Sequence, residues 1–174
     1  YNFNIIDKSD GYSFNFDNII FNSPSQYKFI SEQHTSHYKT AISIFNNNKI
    51  FGIGPKLFRV VCKEKKYIHF NGCSTHPHNF YLQIASETGI VGLLFLLSMF
   101  TYIVYKLYII FINQIYDKKN YTIFYKSIIL GCFINIWPLG PNGNFFGNWN
   151  SILIYLSLSL FIYILLNDEK KFYQ

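Results

Sequence analysis

The run from Gly89 to Ile112 (GIVGLLFLLSMFTYIVYKLYIIFI) is 24 residues long and is broken only by Lys106. At ~1.5 Å rise per residue, a helix of that length outreaches the ~30 Å hydrocarbon core of a bilayer. Lys106 is close enough to one end to snorkel to the interface. Residues 126–139, starting as early as 121 on a generous reading, form a second apolar run that ends at Trp137-Pro138, and residues 149–166 form a third. The pattern predicts an all-α integral membrane protein: an outer loop region of short amphipathic helices, then three transmembrane helices. The chain opens in a polar segment without a start residue, so it is expected to be the C-terminal fragment of a larger helical bundle.

The charges are divided unevenly. Residues 1–88 carry 15 of the 24 Lys, Arg, Asp and Glu side chains, against five between Gly89 and Leu166. Only 14% of the chain is charged and half is apolar, whereas a soluble domain carries about 25% charged residues. That balance excludes an ordinary cytosolic enzyme, and the hydrophobicity excludes a disordered chain. Lys118, Lys119 and Lys126 mark one short connection and Lys170 and Lys171 the tail, while residues 140–148 carry no Lys or Arg. The positive-inside rule then predicts a cytoplasmic loop over 113–125 and a cytoplasmic tail over 167–174. Residues 1–88 and the 140–148 turn are predicted to face the other side. Nothing interleaves basic and aromatic residues as a nucleic-acid surface would, so no nucleic-acid partner is expected despite the net charge of +6.

Within the outer segment, residues 1–30 hold turn signals at Gly11 and Pro24 but no assignable element. Ser31 is an N-cap candidate for a helix with Tyr38, Ala41, Ile42 and Phe45 on one face, His34 on that same face, and Asn46-Asn47-Asn48 at its end. IFGIGP (50–55) reads as a Gly-rich turn, with Pro55 suited to open a short helix through Val61. Cys62 and Cys73, on the exported side, are candidates for a disulfide, the alternative being two buried thiols. Cys132 reads as a small core residue inside a span. The cysteines and histidines have no zinc spacing, and neither metal nor cofactor is expected.

The stretch that carries chemistry is Thr75 to Gly92, THPHNFYLQIASETGIVG. Pro77 favours a helix start, placing His78 at a helix N-terminus whose dipole disfavours the imidazolium. A neutral imidazole there is a usable base at neutral pH, and the free amides of that terminus offer an anion site. Gly89 and Gly92 are expected to admit a neighbouring helix. Asn135, polar within a span, is either a site residue or an interhelical hydrogen bond.

His78-Asn79, nine residues, then Gly89-x-x-Gly92 at the head of an apolar run resembles the signature of the O-antigen ligase and polymerase family. The IFGIGPKLFR turn upstream and GPNGNFFGNWNS downstream resemble further family segments, so the resemblance covers about residues 31–166. It implies a glycosyltransferase of the bacterial inner membrane, with its active site on the periplasmic side. The donor would be a glycan on polyprenyl (undecaprenyl) pyrophosphate and the acceptor a glycolipid or other hydroxyl, set among membrane lipids. His78 would be the catalytic base. Arg59, the one guanidinium in the chain, and Lys56 would meet the pyrophosphate, with His76 and Asn79 as further substrate contacts. Family members commonly carry Arg where His34 stands, so His34 is a further candidate for a phosphate-facing role. No Asp-x-Asp pair occurs, which suits a metal-independent reaction. Ligase, polymerase and non-catalytic glycan-binding or transport subunit remain open at this point.

Overall fold

A computed structural model describes residues 31–116 and 123–166. Residues 1–30, the Lys118-Lys119 part of the expected 113–125 loop and the 167–174 tail lie outside the described residues. Among those described, every regular element is helical: α1 (Glu32–Asn47), α2 (Phe58–Val61), α3 (Phe80–Tyr116), α4 (Ile123–Asn135) and α5 (Asn148–Leu166).

Helix α1 follows Ser31 directly, and its buried face comprises His37, Tyr38, Thr40, Ala41 and Ile44. Ile42 and Phe45, expected on that face, are only half-buried. The face is turned toward the polar His37 and Thr40 because it packs against the loop leading into α3. There the Thr40 hydroxyl accepts a hydrogen bond from the His69 amide at 3.3 Å. Ala41 and Ile44 join Phe58, Cys62 and Tyr67 in the core of the outer region. Fully burying a side chain such as Phe58 contributes about 1.5–3 kcal/mol.

The short helix after the Gly-rich turn starts three residues later than Pro55 suggests. Its first amide, on Phe58, donates to the Glu87 carboxylate at 2.9 Å, so a side chain distant in sequence caps α2. The residues between are held in turn conformation, with Lys56 at φ 64°.

Gly89 interrupts α3 with φ 70° and ψ −162°, a conformation no helix contains. The interruption frees backbone groups, and the Gly-rich turn takes them up. Ile53 N donates to Ser86 O (3.1 Å), Gly54 N to Glu87 O (2.8 Å), and Ile90 N to Lys49 O (2.7 Å). A β-carbon on Gly89 would overlap the Ile50 carbonyl, and one on Gly52 would overlap the Glu87 backbone. Gly89 therefore admits this turn rather than the neighbouring helix that the sequence suggested. A β-carbon on Gly92 meets Thr88 of its own helix.

Beyond Gly89, α3, α4 and α5 share a core of Ile103, Ile110, Tyr125, Ile129, Cys132, Ile136, Phe161 and Ile164. Asn135 Nδ2 donates to Ser157 Oγ at 3.2 Å, the interhelical alternative for that residue. Helices α3 and α5 are long and apolar enough to cross a membrane, whereas α4 has 13 residues. Only 11% of the most apolar stretch of α3 and 17% of that of α5 is buried within the chain.

Candidate functional site

Asn79 is the N-cap of α3. Its Oδ1 accepts from the Tyr81 and Leu82 amides at 3.0 and 3.1 Å, an arrangement worth about 1 kcal/mol. Its Nδ2 donates to Pro138 O at 2.9 Å, and the Tyr81 hydroxyl donates to Ile136 O at 2.9 Å. The cap occupies two of the amides that the sequence offered to an anion, so Asn79 fastens the end of α4 to the start of α3. The helix proper begins at Phe80, which leaves Pro77 outside it.

His78 precedes this cap with φ 60°, the left-handed region. For a side chain branching from an L-residue this conformation costs roughly 1 kcal/mol or more. The surrounding contacts impose it: the His78 carbonyl accepts from Asn142 N at 2.8 Å, and Pro77 behind it is fully buried.

Around His78 stand three further imidazoles. Its ring centre lies 4.1 Å from that of His76, 5.2 Å from His34 and 5.4 Å from His37. His34 and His37 sit three residues apart on α1, which puts both on the face that meets the loop. Burial, then the nearby His76, His37 and His34, brings the His78 pKa down to about 4. Burial is also the main reason that His76 lies below its ordinary value; His37 and Arg59 push the same way and the Asn142 backbone opposes them. The ring pair is uncharged at neutral pH. Among the described residues no three His, Cys, Asp or Glu side chains are grouped to hold a metal ion.

The segment that presents His76 is pinned from both sides. Cys62 and Cys73 are joined as a disulfide with Cα atoms 5.2 Å apart, tying the end of α2 to the approach to His76. The Ser74 hydroxyl donates to the His76 carbonyl, and Thr75 Oγ1 lies 2.9 Å from His76 Nδ1. Beside this turn an open cavity of about 510 Å³ is lined by Arg59, Val60, Lys63, Cys73, Ser74 and Thr75. Arg59 and Lys63 thus share a concave surface with two hydroxyls, both in contact with His76. Lys56 is exposed in the turn before α2, and nothing places its ammonium group in that cavity. His69 is exposed.

Two groups escaped the sequence reading. His37 is 3% exposed and faces His78; the His34-x-x-His37 spacing was its signal. Glu87 is fully buried, and its signal was a lone carboxylate beside a long apolar run. Its Oε1 accepts from Phe58 N, and its Oε2 accepts from Gln83 Nε2 at 3.1 Å. Burial raises its pKa, opposed by the Phe58 and Lys56 amides, Gln83 and Arg59. Gln83 also donates to Asn144 Oδ1 (2.8 Å) and accepts from Phe145 N (2.9 Å). Glu87 therefore links the Gly-rich turn, α2 and the 140–148 connection, whose Asn142 holds His78.

Comparison with known proteins places this geometry in context. The model of the O-antigen ligase family matches residues 8–97, a stretch that contains all four clustered histidines, Arg59, the disulfide and Glu87. Two curated proteins, each named "Putative polysaccharide ligase", are similar over 125 residues, one from Rickettsia conorii at 30% identity and one from Rickettsia felis at 28%. Each alignment covers 65% of this chain and 28% of the relative, so the chain spans little more than a quarter of those proteins. No solved structure matches it.

Proposed function

Because the chain belongs to the O-antigen ligase family, we propose that it carries the base and the anion-binding side of a membrane glycosyltransferase site. The reaction moves a glycan from polyprenyl pyrophosphate to a hydroxyl of a glycolipid acceptor. The observation that carries this reading is the cluster of four imidazoles in which His78 is held uncharged.

In the reaction, a ring nitrogen of His78 takes the proton of the acceptor hydroxyl as that oxygen bonds to the anomeric carbon. The bond from the anomeric carbon to the diphosphate oxygen breaks, and its electron pair leaves with the polyprenyl diphosphate. That group departs as a stable anion and needs no strong general acid. Arg59 and Lys63, on the wall of the cavity beside His76, neutralise its charge, with Lys56 adding to the local positive field. A ring with a pKa of about 4 is unprotonated at neutral pH and so free to take a proton, although it is a weak base. Bound diphosphate adds negative charge nearby and raises its proton affinity as the proton arrives. The proton then passes to solvent or to the departing diphosphate.

Residues 90–116 of α3 together with α5 anchor the site in a bilayer through their open apolar faces. The absence of basic residues from 140–148 favours the periplasmic side of the inner membrane for that turn and for His78, to which it is bonded. The test is His78→Ala in the full-length protein, reconstituted with a polyprenyl-diphosphate oligosaccharide and a glycolipid acceptor. Transfer is expected to fall by roughly 10²–10⁴, the usual contribution of a general base. Unchanged transfer refutes the assignment. A ladder of lipid-linked repeats in place of a capped acceptor identifies a polymerase.

A further inference from the structure

The Gly-rich turn before α2 leaves two adjacent apolar side chains in the open: Ile50 is 61% exposed and Phe51 76%. A single apolar residue on a surface needs no explanation. A pair held on a rigid turn at the head of a long apolar helix does. The turn closes on itself, with Gly52 N donating to Asn48 O at 3.0 Å, and its bonds to Ser86, Glu87 and Ile90 fasten it to both sides of the Gly89 break. The Ile50 carbonyl and the Phe51 amide lie where a β-carbon on Gly89 would stand. Ile50 and Phe51 are therefore carried beside Gly89 and cannot swing away without breaking those bonds.

The position of Gly89 sets the depth of the pair. From Ile90 to Ile112, α3 rises roughly 34 Å at ~1.5 Å per residue, slightly more than the ~30 Å hydrocarbon core. Ile90, Val91, Leu94 and Phe95 are exposed from the first turns of that stretch, so its open apolar surface begins directly after Gly89. Ile90 N bonds Lys49 O at 2.7 Å, which makes the surface of the turn continuous with that of the helix. The charges agree. Lys49 and Lys56 flank the turn, both exposed, and no Asp or Glu occurs from Lys49 through Lys63. Cations beside an apolar tip complement the phosphates of a lipid surface. A protein partner would have to reach the pair through the headgroup layer.

We propose that Ile50 and Phe51 form a wedge seated in the outer leaflet, at the boundary of headgroups and acyl chains. The proposal rests on α3 crossing the bilayer and adds a second, interfacial contact that fixes the height of the outer region. Helix α2 begins at the Glu87 carboxylate, two residues before Gly89. The wedge thereby keeps Arg59 close to the headgroup layer, where the diphosphate of a lipid-linked donor lies.

The experiment uses full-length protein carrying Phe51→Cys with a nitroxide attached, in nanodiscs of phosphatidylethanolamine and phosphatidylglycerol. Power-saturation EPR compares relaxation by oxygen, which concentrates in lipid, with relaxation by a water-soluble nickel chelate. Leu97→Cys, at an exposed position of α3 roughly 12 Å further along its axis, reports the span itself. Oxygen is expected to dominate at position 51, at a depth of about 5–10 Å, and more strongly at position 97. Ile50→Cys gives the same reading from the neighbouring side chain should Phe51→Cys not fold. Nickel dominance at 51 with oxygen dominance at 97 overturns the wedge and leaves the span standing. Nickel dominance at 97 removes the span on which the proposal rests, and the proposal with it. A label at 51 that neither reagent reaches would mean that protein covers the turn, which also overturns the proposal.

Discussion

Replacing Gly89 by Ala tests how the outer region is fixed to the membrane-entering helix. At φ 70° and ψ −162° the residue occupies a region that is all but closed to side-chain-bearing residues, at a cost of about 1–3 kcal/mol. The new β-carbon would also overlap the Ile50 carbonyl, which is backbone and has no rotamer to escape into. The turn must retreat, which breaks the Ile53–Ser86, Gly54–Glu87 and Ile90–Lys49 hydrogen bonds. At about 1 kcal/mol net each, these bring the total to about 4–6 kcal/mol. Gly92→Ala meets Thr88, including its β-carbon, and Ile84, all on its own helix and none of them in the turn, and Gly131→Ala meets nothing within 4 Å. Hydrogen exchange at the Ile53, Gly54 and Ile90 amides, in detergent or nanodiscs, reads the local opening directly. Gly89→Ala is expected to speed exchange there about a thousandfold, Gly92→Ala far less, and Gly131→Ala not at all. Equal protection in the Gly89 and Gly131 variants would refute the reasoning.

Glu87→Ala leaves the Phe58 amide and the Gln83 side chain without their buried acceptor, at about 1–3 kcal/mol for each group. It is expected to lower the melting temperature more than Glu87→Gln does, measured by thermal denaturation in detergent. Cys62→Ser, read by the same melt, removes a crosslink across 11 positions and should cost about 3 kcal/mol. His78 has a folded pKa of about 4, below its ordinary 6.5. The unfolded chain therefore binds more protons between those values, and stability from this site is complete above about pH 6.5 and lost as pH falls toward 4. His78→Gln should flatten that acid slope in melts taken across the range.

Apolar runs and helical spacing place α1 and α5 within a residue or so, because both signals are local. The start of α2 was not legible in the same way. Pro55 gives a local reason to begin a helix, but the Glu87 carboxylate 29 positions away from Phe58 decides where it begins. Gly89 was noticed for the right property, small size, and given the wrong neighbour, because spacing says that something approaches without saying what. His78 and His76 stand out by sequence, and His34 by its resemblance to a family position. The role of His37 depends on α1 docking against the 72–78 loop, a tertiary fact. The same holds for Asn142, Asn144 and Phe145, whose partners lie some sixty residues earlier in the chain. Nothing in a Gly- and Asn-rich turn announces that it clamps a histidine.

The pH dependence of kcat/KM for glycan transfer bears most directly on His78 as an uncharged base, since it reports the ionisation of the free enzyme. With full-length protein and both donor and acceptor at limiting concentration, the rate should stay level from neutral pH down to about pH 5. It should then fall with an apparent pKa of about 4, and the residual rate of His78→Ala should lack that step. An acid limb near the ordinary imidazole value of about 6.5, or the same limb in the His78→Ala protein, would contradict it.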